Sequence, residues 1–141
     1  MAEPAPLTIE AINEMFAASP FIAALSMEVT ALDAEAGTVT VRMPMGAIAE
    51  RGVGTNQFHG GALASLVDVA GDFAVALAVG GAVPTIDLRV DYLRPAFGPH
   101  VEARARARRV GRTVGIADVD VMGADGKLVT IGRGCYSAKV G

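Results

Sequence analysis

The sequence predicts an α+β fold in which an antiparallel sheet wraps around one long buried helix. The helix is predicted by residues 56–81, NQFHGGALASLVDVAGDFAVALAVGG, a stretch without proline that is apolar on every side. A helix of this kind belongs inside a protein or a membrane. The sheet is predicted by segments on both sides of the helix in which apolar and polar residues alternate. At 141 residues the chain suits a single domain, 1–141, with one core.

Residues 1–25 are predicted to form an N-terminal helical segment, with one helix or two short ones over residues 8–25. Thr8 is a suitable N-cap, and Ser19-Pro20 is expected to interrupt the helix. The residues that share one apolar face are Ile9, Ile12, Met15 and Phe16. This spacing is typical of an amphipathic helix.

A β-hairpin is predicted next, with strands at 27–32 and 38–43 around a turn at 33–37. In its second strand Val39, Val41 and Met43 alternate with polar residues, as in a strand with one buried face. A loop over 44–57 contains three glycines and leads to His59, where the long helix begins.

Four further strands are predicted after the helix, as a meander in which each strand pairs with the next. They cover residues 86–92, 100–110, 113–122 and 128–138. Gly80-Gly81 ends the helix. The alternation of the third strand slips near Ala117, which predicts a β-bulge there. The GADG sequence that follows predicts a tight hairpin turn.

The charge balance bears on possible partners. A net charge of -3 and a pI near 5.3 argue against a general nucleic-acid or anionic-membrane binder. Positive charge is nevertheless concentrated, because five arginines fall between Arg104 and Arg112. The alternating row Arg104, Arg106 and Arg108 is usually a solvated strand face, although arginine also suits phosphate binding.

The single cysteine, Cys135, excludes an internal disulfide and a multi-cysteine zinc site, so we predict no metal centre. The N-terminal MAEPAPLTIE lacks the basic start and apolar run of a signal peptide. Residues 62–83 are long enough to cross a membrane, but each of the two aspartates there would cost about 2.5–3.5 kcal/mol near the bilayer centre. We therefore expect a soluble cytoplasmic protein that does not bind membranes.

Those two aspartates, Asp68 and Asp72, are the only charged residues of the predicted helix. Four residues apart, they share one helix face. Because a carboxylate in an apolar environment is costly unless it is satisfied, their presence favours a functional role.

The motif HGGALASLVD, followed by TIDLRVDYLRPA, resembles the hotdog-fold acyl-CoA thioesterases of the phenylacetate-degradation type. The later stretch GRTVGIADVDVMGADGKLVTIGRG extends the similarity to nearly all of the chain after Ala24. The resemblance implies a sheet wrapped around one long helix and active sites formed between two subunits. It implies a homodimer, or a homotetramer.

The resemblance also implies site residues. The catalytic acid falls on Asp68, nine positions after His59, and the oxyanion donor is the backbone N–H of Gly60. A hydroxyl residue that holds the attacking water falls on Thr85. Relatives commonly carry an asparagine six residues before the histidine, where this chain has Val53. Either Asn56 does that work from a shortened loop, or the contact is missing.

These residue types suit thioester hydrolysis. Glycine N–H groups at a helix start can stabilise the negative charge that develops on the carbonyl oxygen. Asp68 can act as nucleophile or as general base to a water. Each candidate also has a structural interpretation: Asp68 in a buried polar network, His59 in positioning the loop, the glycines in the turn, and Thr85 as a strand residue. The candidate substrate-binding residues are Gly61, Phe58, Asp72, Arg94 and Arg112.

The sequence thus predicts hydrolysis of an acyl-CoA or aryl-acyl-CoA to the free acid and CoA, with no metal or redox cofactor. One alternative is a hotdog hydratase or dehydratase, whose Asp-x-Asn-Pro-x-x-x-His signature is absent from the sequence. Another is a non-catalytic acyl-CoA-binding or regulatory module, although no DNA-binding helix pair precedes the domain.

Overall fold

The computed structural model describes residues 5–141, which form three helices and six strands. Their bounds are α1 (Ile9–Ala18), α2 (Pro20–Ala24), β1 (Glu28–Asp33), β2 (Thr38–Pro44), α3 (Gly60–Val79), β3 (Thr85–Tyr92), β4 (His100–Val110), β5 (Val114–Gly123) and β6 (Leu128–Ser137). The six strands form one antiparallel sheet in the order β1-β2-β4-β5-β6-β3. Helix α3 packs against β2 through β6. The predicted α+β class is confirmed.

The predicted four-strand meander is wrong. Strands β4, β5 and β6 do form a meander, but β3 pairs with β6 and β4 pairs with β2. The reason is that α3, 20 residues and about 30 Å long, carries the chain across the sheet between β2 and β3. Strand β3 therefore begins at the far edge, where β6 becomes its neighbour. Alternation along one strand contains no information about which strand lies beside it.

The predicted bulge lies in the neighbouring strand. Between Ala107↔Ala117 and Arg109↔Ile116, strand β4 advances by two residues while β5 advances by one. The extra residue is Arg108 of β4. The irregular alternation near Ala117 marked the correct position in the sheet but not the strand that bulges.

Within the predicted N-terminal helical segment, α1 packs against β1 and α2 packs against α1, whereas residues 1–4 lie outside the described part of the chain. Thr8 caps α1, as predicted, by accepting a hydrogen bond from the Ala11 N–H. Within α1, the Asn13 side chain binds the backbone of Val29 in β1 through both its carbonyl and its amide group. Phe16 packs edge-on against Phe73 of α3, with ring centroids 5.0 Å apart. The short helices are thus joined to both the sheet and the central helix.

The sheet face that points away from α3 is charged. Arg106 of β4 lies opposite Asp118 of β5, and Asp118 in turn lies opposite Arg133 of β6. Arg133 donates from Nε to Asp118 Oδ1 at 2.6 Å and from Nη2 to Oδ2 at 3.0 Å. Arg108 Nε lies 3.6 Å from the same Oδ2. Part of the arginine row is therefore engaged in ion pairs on a solvated face.

Helix α3 is long and apolar enough to cross a membrane by length and composition alone. In the domain it is instead a core helix: more than half of its most apolar window is buried, it packs against the sheet, and its Phe73 contacts Phe16 of α1. Cys135 is free and half-buried in β6. Within residues 5–141, no three His, Cys, Asp or Glu side chains are placed to hold a metal ion.

Candidate active site

The start of α3 is built by the His-Gly-Gly turn. His59 is the N-cap, and its Nδ1 accepts a 2.8 Å hydrogen bond from the Gly61 N–H. The acceptor role places the ring proton on Nε2. The His59 N–H donates to the Ala49 carbonyl at 2.7 Å. These hydrogen bonds indicate that His59 positions the turn.

The Gly60 N–H is left available by this arrangement. Within the described part of the chain it donates to no other group, whereas the neighbouring Gly61 N–H is occupied by His59. An unpaired N–H at a helix N-terminus, where the helix dipole also favours negative charge, can donate a hydrogen bond to an oxyanion. Gly60 is therefore the better placed of the two glycines for that role.

Tyr92, at the end of β3, fixes the same turn from the other side. Its hydroxyl donates a 2.6 Å hydrogen bond to the Gly60 carbonyl, and its ring lies against Gly60. The sequence interpretation placed Tyr92 in a strand and gave it no role in the site.

The carboxylate of Asp68 lies two turns further along α3. Thr85 Oγ1, on the first residue of β3, donates to its Oδ1 at 2.6 Å. The structure therefore places the residue predicted as the acid in contact with the residue predicted to hold the attacking water. The second carboxylate oxygen, Oδ2, accepts no hydrogen bond from the described residues.

Asp72 lies one further turn along the same helix face. Its Oδ1 accepts a 3.1 Å hydrogen bond from the Val83 N–H, in the segment between α3 and β3. Burial raises the pKa of Asp72 from 3.8 to about 7, against the opposing effect of the Val83 N–H and with a further contribution from the charge of Asp68. Asp72 thus faces the connection to β3 and gains a proton more readily than an ordinary carboxyl.

Tyr136 of β6 supports this turn of α3 from inside the core. Its side chain is fully buried, and its hydroxyl donates a 2.9 Å hydrogen bond to the Asp68 carbonyl. A Cβ at Gly71 or at Gly134 would clash with the Tyr136 ring or hydroxyl. Both positions must therefore be glycine for the Tyr136 side chain to pack there. The chain has two tyrosines, and each donates to a backbone carbonyl of α3. No sequence pattern predicts these contacts, because they depend on which strand lies beneath which helical turn.

Asn56 is held in the loop that precedes the turn. It has a φ of 54°, its N–H donates to Glu50 Oε2 at 2.8 Å, and its carbonyl accepts from the Gly98 N–H. The Asn56 side chain packs beside Gly98. In the described residues the hydrogen bonds of Asn56 are therefore with Glu50 and Gly98, and they do not join it to Gly60 or Asp68.

Two grooves flank the start of α3. One, of about 410 Å³, is lined by Gly60, Phe58 and Tyr92 together with the cationic residues Arg51 and Arg94. The other, of about 350 Å³, has apolar walls and His59, Gly61 and Ser65 at its polar side. The apolar walls of this second groove are Phe21, Leu25, Ile48 and Ala62.

Arg94 and Arg112 are not brought together within one chain. The Arg94 N–H bonds to Val129 beside the β5–β6 turn, whereas Arg112 lies in the β4–β5 turn at the other end of β5. A ten-residue strand separates those ends by about 30 Å.

The spacing along α3 limits what one chain can do. Gly60 and Asp68 are eight residues apart on the helix, which corresponds to a rise of about 12 Å. An oxyanion donor must lie about 3 Å from the carbonyl oxygen, and an attacking atom about 3–3.5 Å from its carbon. The rise between the two backbone positions therefore exceeds the span of one carbonyl group with its two direct contacts.

A model of the thioesterase superfamily matches residues 56–130, which include the turn, both aspartates, Thr85 and Tyr92. The chain belongs to this thioesterase superfamily. Over 113 residues it is 32% identical to the acyl-coenzyme A thioesterase PaaI of Escherichia coli K12, covering 79% of this chain and 76% of that protein. It is 40% identical over 115 residues to a Halobacterium salinarum protein provisionally named an esterase, covering 74% of this chain and 76% of that one.

Solved structures of other superfamily members have the same fold. The E. coli PaaI structure has a TM-score of 0.79 and 27% identity, with 94% of this chain and 92% of that chain covered. The zebrafish thioesterase superfamily member 2 structure has a TM-score of 0.81 and 28% identity, with 94% and 99% covered. These similarities confirm the hotdog fold and the resemblance that the sequence motifs indicated. As a thioesterase superfamily member, the chain carries its Asp68–Thr85 pair and its Gly60 turn within the matched region.

Proposed function

We propose that this protein hydrolyses an acyl-CoA or aryl-acyl-CoA thioester to the carboxylic acid and CoA. The observation that carries the proposal is the Asp68 carboxylate, which is bound at Oδ1 by Thr85. The chain belongs to the thioesterase superfamily, and its Gly60 N–H donates to no other group among the described residues. Membership of the superfamily supports thioester hydrolysis in general, and CoA as the thiol is the finer proposal.

The chemistry begins with attack on the thioester carbonyl. In one form Asp68 Oδ2 removes a proton from water while the water oxygen bonds to the carbonyl carbon. In the other, Oδ2 itself bonds to the carbonyl carbon, and the aspartyl anhydride that remains after C–S cleavage is then hydrolysed by water. In both forms the Gly60 N–H stabilises the oxyanion. The C–S bond then breaks, and CoA leaves as a thiolate whose thiol has a pKa of about 8.5, so the step needs no strong general acid.

The site is completed by a second copy of the chain. Because Gly60 and Asp68 of one chain are about 12 Å apart along α3, we place Gly60 of one protomer against Asp68 of the other. Strand β3 supports such a pairing, since it is an edge strand on which Ile86 is 59% and Tyr92 is 53% exposed. Exposed edges of this kind favour pairing with another chain. The proposed assembly is a homodimer, or a homotetramer built from it.

The two grooves suit the two parts of such a substrate, the CoA and the acyl or aryl group. The groove with Arg51 and Arg94 suits the phosphates of CoA, because guanidinium groups bind phosphate through paired hydrogen bonds. The groove with Phe21 and Ile48 suits an apolar acyl or aryl group. The reaction uses no metal or redox cofactor, and the proposed location is the cytoplasm, without nucleic-acid or membrane partners.

The test is thiol release from a panel of acyl-CoAs by wild type and Asp68→Asn. We expect a loss of kcat of about 10³-fold or more in the variant. The matched control is Asp33→Asn, which alters an exposed carboxylate in the β1–β2 turn and should remain active. Equal turnover by wild type and Asp68→Asn would overturn the assignment of Asp68. Tight binding of CoA esters without turnover by wild type would instead indicate a binding module.

A further inference from the structure

Asp72 and Asp68 make parallel contacts to the chain that enters β3. Asp68 Oδ1 accepts from the Thr85 hydroxyl, and one turn later Asp72 Oδ1 accepts from the Val83 N–H. The two acceptors are four residues apart on α3, and the two donors are two residues apart in the connecting segment. The helix face that carries both acids therefore holds residues 83–85 at two points.

The Val83 contact is one of two hydrogen bonds that hold the chain just before Thr85, the other being the 2.9 Å bond from the Ser137 N–H to the Pro84 carbonyl. Pro84 lies between Val83 and Thr85 and has no N–H, so the Val83 N–H is the nearest preceding backbone donor. The ladder with β6 is also irregular here, because its register shifts between Thr85 and Asp87. Val83 is itself buried, at 4% exposure, and its N–H needs a partner. Pairing with β6 holds Thr85 opposite Tyr136 and the Pro84 carbonyl on Ser137, and the Asp72 carboxylate adds a contact from α3 to the residue before Pro84.

We propose that Asp72 is a positioning residue, which binds the Val83 N–H and thereby keeps the Thr85 hydroxyl on Asp68. The proposal rests on the proposed function, in which Asp68 acts on the substrate. Asp72 contributes an acceptor oxygen rather than a charge or a proton. Its raised pKa agrees with this role, because the neutral carboxyl retains a carbonyl oxygen that can accept from Val83.

An asparagine at position 72 preserves that acceptor and an alanine removes it. We expect Asp72→Ala to lower kcat roughly 10- to 100-fold, the scale of a small misplacement of a catalytic group, with KM changed less than about twofold. Asp72→Asn should stay within about threefold of wild type. The double variant Asp72→Ala/Thr85→Val should be no slower than Thr85→Val alone, because both changes remove the same support from Asp68.

The control is Asp33→Ala, which removes a carboxylate that also accepts a backbone N–H at 3.1 Å but lies in the β1–β2 turn. Its kcat should equal that of wild type. An Asp72→Asn variant as slow as Asp72→Ala would overturn the proposal, and so would additive losses in the double variant. Full activity of Asp72→Ala would overturn it as well.

Crystal structures of the variants give a readout that does not depend on turnover. In Asp72→Ala we expect the Thr85 hydroxyl to lie beyond about 3.5 Å from the Asp68 carboxylate, and in Asp72→Asn to remain within hydrogen-bond distance. An unchanged contact in Asp72→Ala would overturn the inference even for an inactive protein. The proposed function fails separately, through an Asp68→Asn variant that is as active as wild type.

Discussion

The hydroxyl of Thr85 donates a 2.6 Å hydrogen bond to Oδ1 of Asp68, which joins the first residue of β3 to the middle of α3. This bond occupies one carboxylate oxygen and orients the other. The Asp68 carboxylate is thereby held by contacts from two elements, α3 and β3. In the proposed reaction, a carboxylate held in this way requires little rearrangement before it acts.

Thr85 should tolerate serine but not valine. Thr85→Ser keeps the hydroxyl, so we expect kcat within a few-fold of wild type, whereas the isosteric Thr85→Val should lower kcat by about tenfold or more. Steady-state thiol release at saturating acyl-CoA measures both. A Thr85→Val enzyme with wild-type kcat would show that the hydroxyl does not support Asp68.

Gly71→Ala should destabilise the protein although it lies within a helix. Alanine in a helix interior normally stabilises by about 1 kcal/mol relative to glycine. Here the new Cβ would fall on the Tyr136 hydroxyl, and overpacking of this kind costs about 1–3 kcal/mol. We expect a net loss in urea unfolding, partly restored in Gly71→Ala/Tyr136→Phe because the second change removes the clashing oxygen. A stabilised Gly71→Ala single variant would contradict the packing of Tyr136.

Asp72 should make stability depend on pH. Its pKa is raised by burial from 3.8 to about 7, so the folded state binds more protons than the unfolded state between those values. Stability from this group is therefore fully present below about pH 4 and is lost as the pH rises toward about 7. We expect the wild-type Tm to fall, relative to Asp72→Asn, by several degrees between about pH 5 and pH 8. Parallel Tm profiles of the two proteins would argue against a buried ionisable Asp72.

Arg94 should contribute to binding of the CoA arm. Arg94→Ala should raise KM about tenfold with little change in kcat, because it removes a charge-assisted contact worth about 1.4 kcal/mol. Arg106→Ala is the control, since Arg106 is exposed on the sheet face that points away from α3. Equal effects of the two substitutions would indicate general electrostatic attraction rather than a site at Arg94.

Ile86→Lys should separate the protomers. Ile86 is 59% exposed on edge strand β3, so a lysine there leaves the single chain folded but places a charge in the proposed dimer contact. We expect sedimentation analysis to show a shift toward monomer, together with loss of thiol release. A dimer that persists unchanged would place the contact between protomers elsewhere on the chain.

The sequence could predict the elements more readily than their arrangement. The His-Gly-Gly turn and the Gly80 end of α3 are local signals, and the helix is found between them. Strand bounds followed from alternation. The pairing of β3 with β6 is a long-range property, which alternation does not encode.

In the candidate site, likewise, residues in local motifs could be predicted and contacts between distant segments could not. Asp68 and Thr85 belong to motifs that could be matched along the chain, and the structure places them in contact. Tyr136 and Tyr92 act through hydroxyls that reach α3 from strands distant in sequence, so no spacing rule could find them. Asp72 was selected for its charge, but its contact with the Val83 backbone required coordinates.

The packing of the Tyr136 side chain between Gly71 and Gly134 also has a consequence for biosynthesis. The Tyr136 hydroxyl, which donates to the Asp68 carbonyl, is on β6, and β6 is also the neighbour of β3 in the sheet. While a ribosome is still adding β5, the emerged chain already contains both acids but lacks the strand that supports them. We expect a nascent chain halted before β6 to lack the proposed thioesterase activity, and the activity to appear only once β6 has left the ribosome.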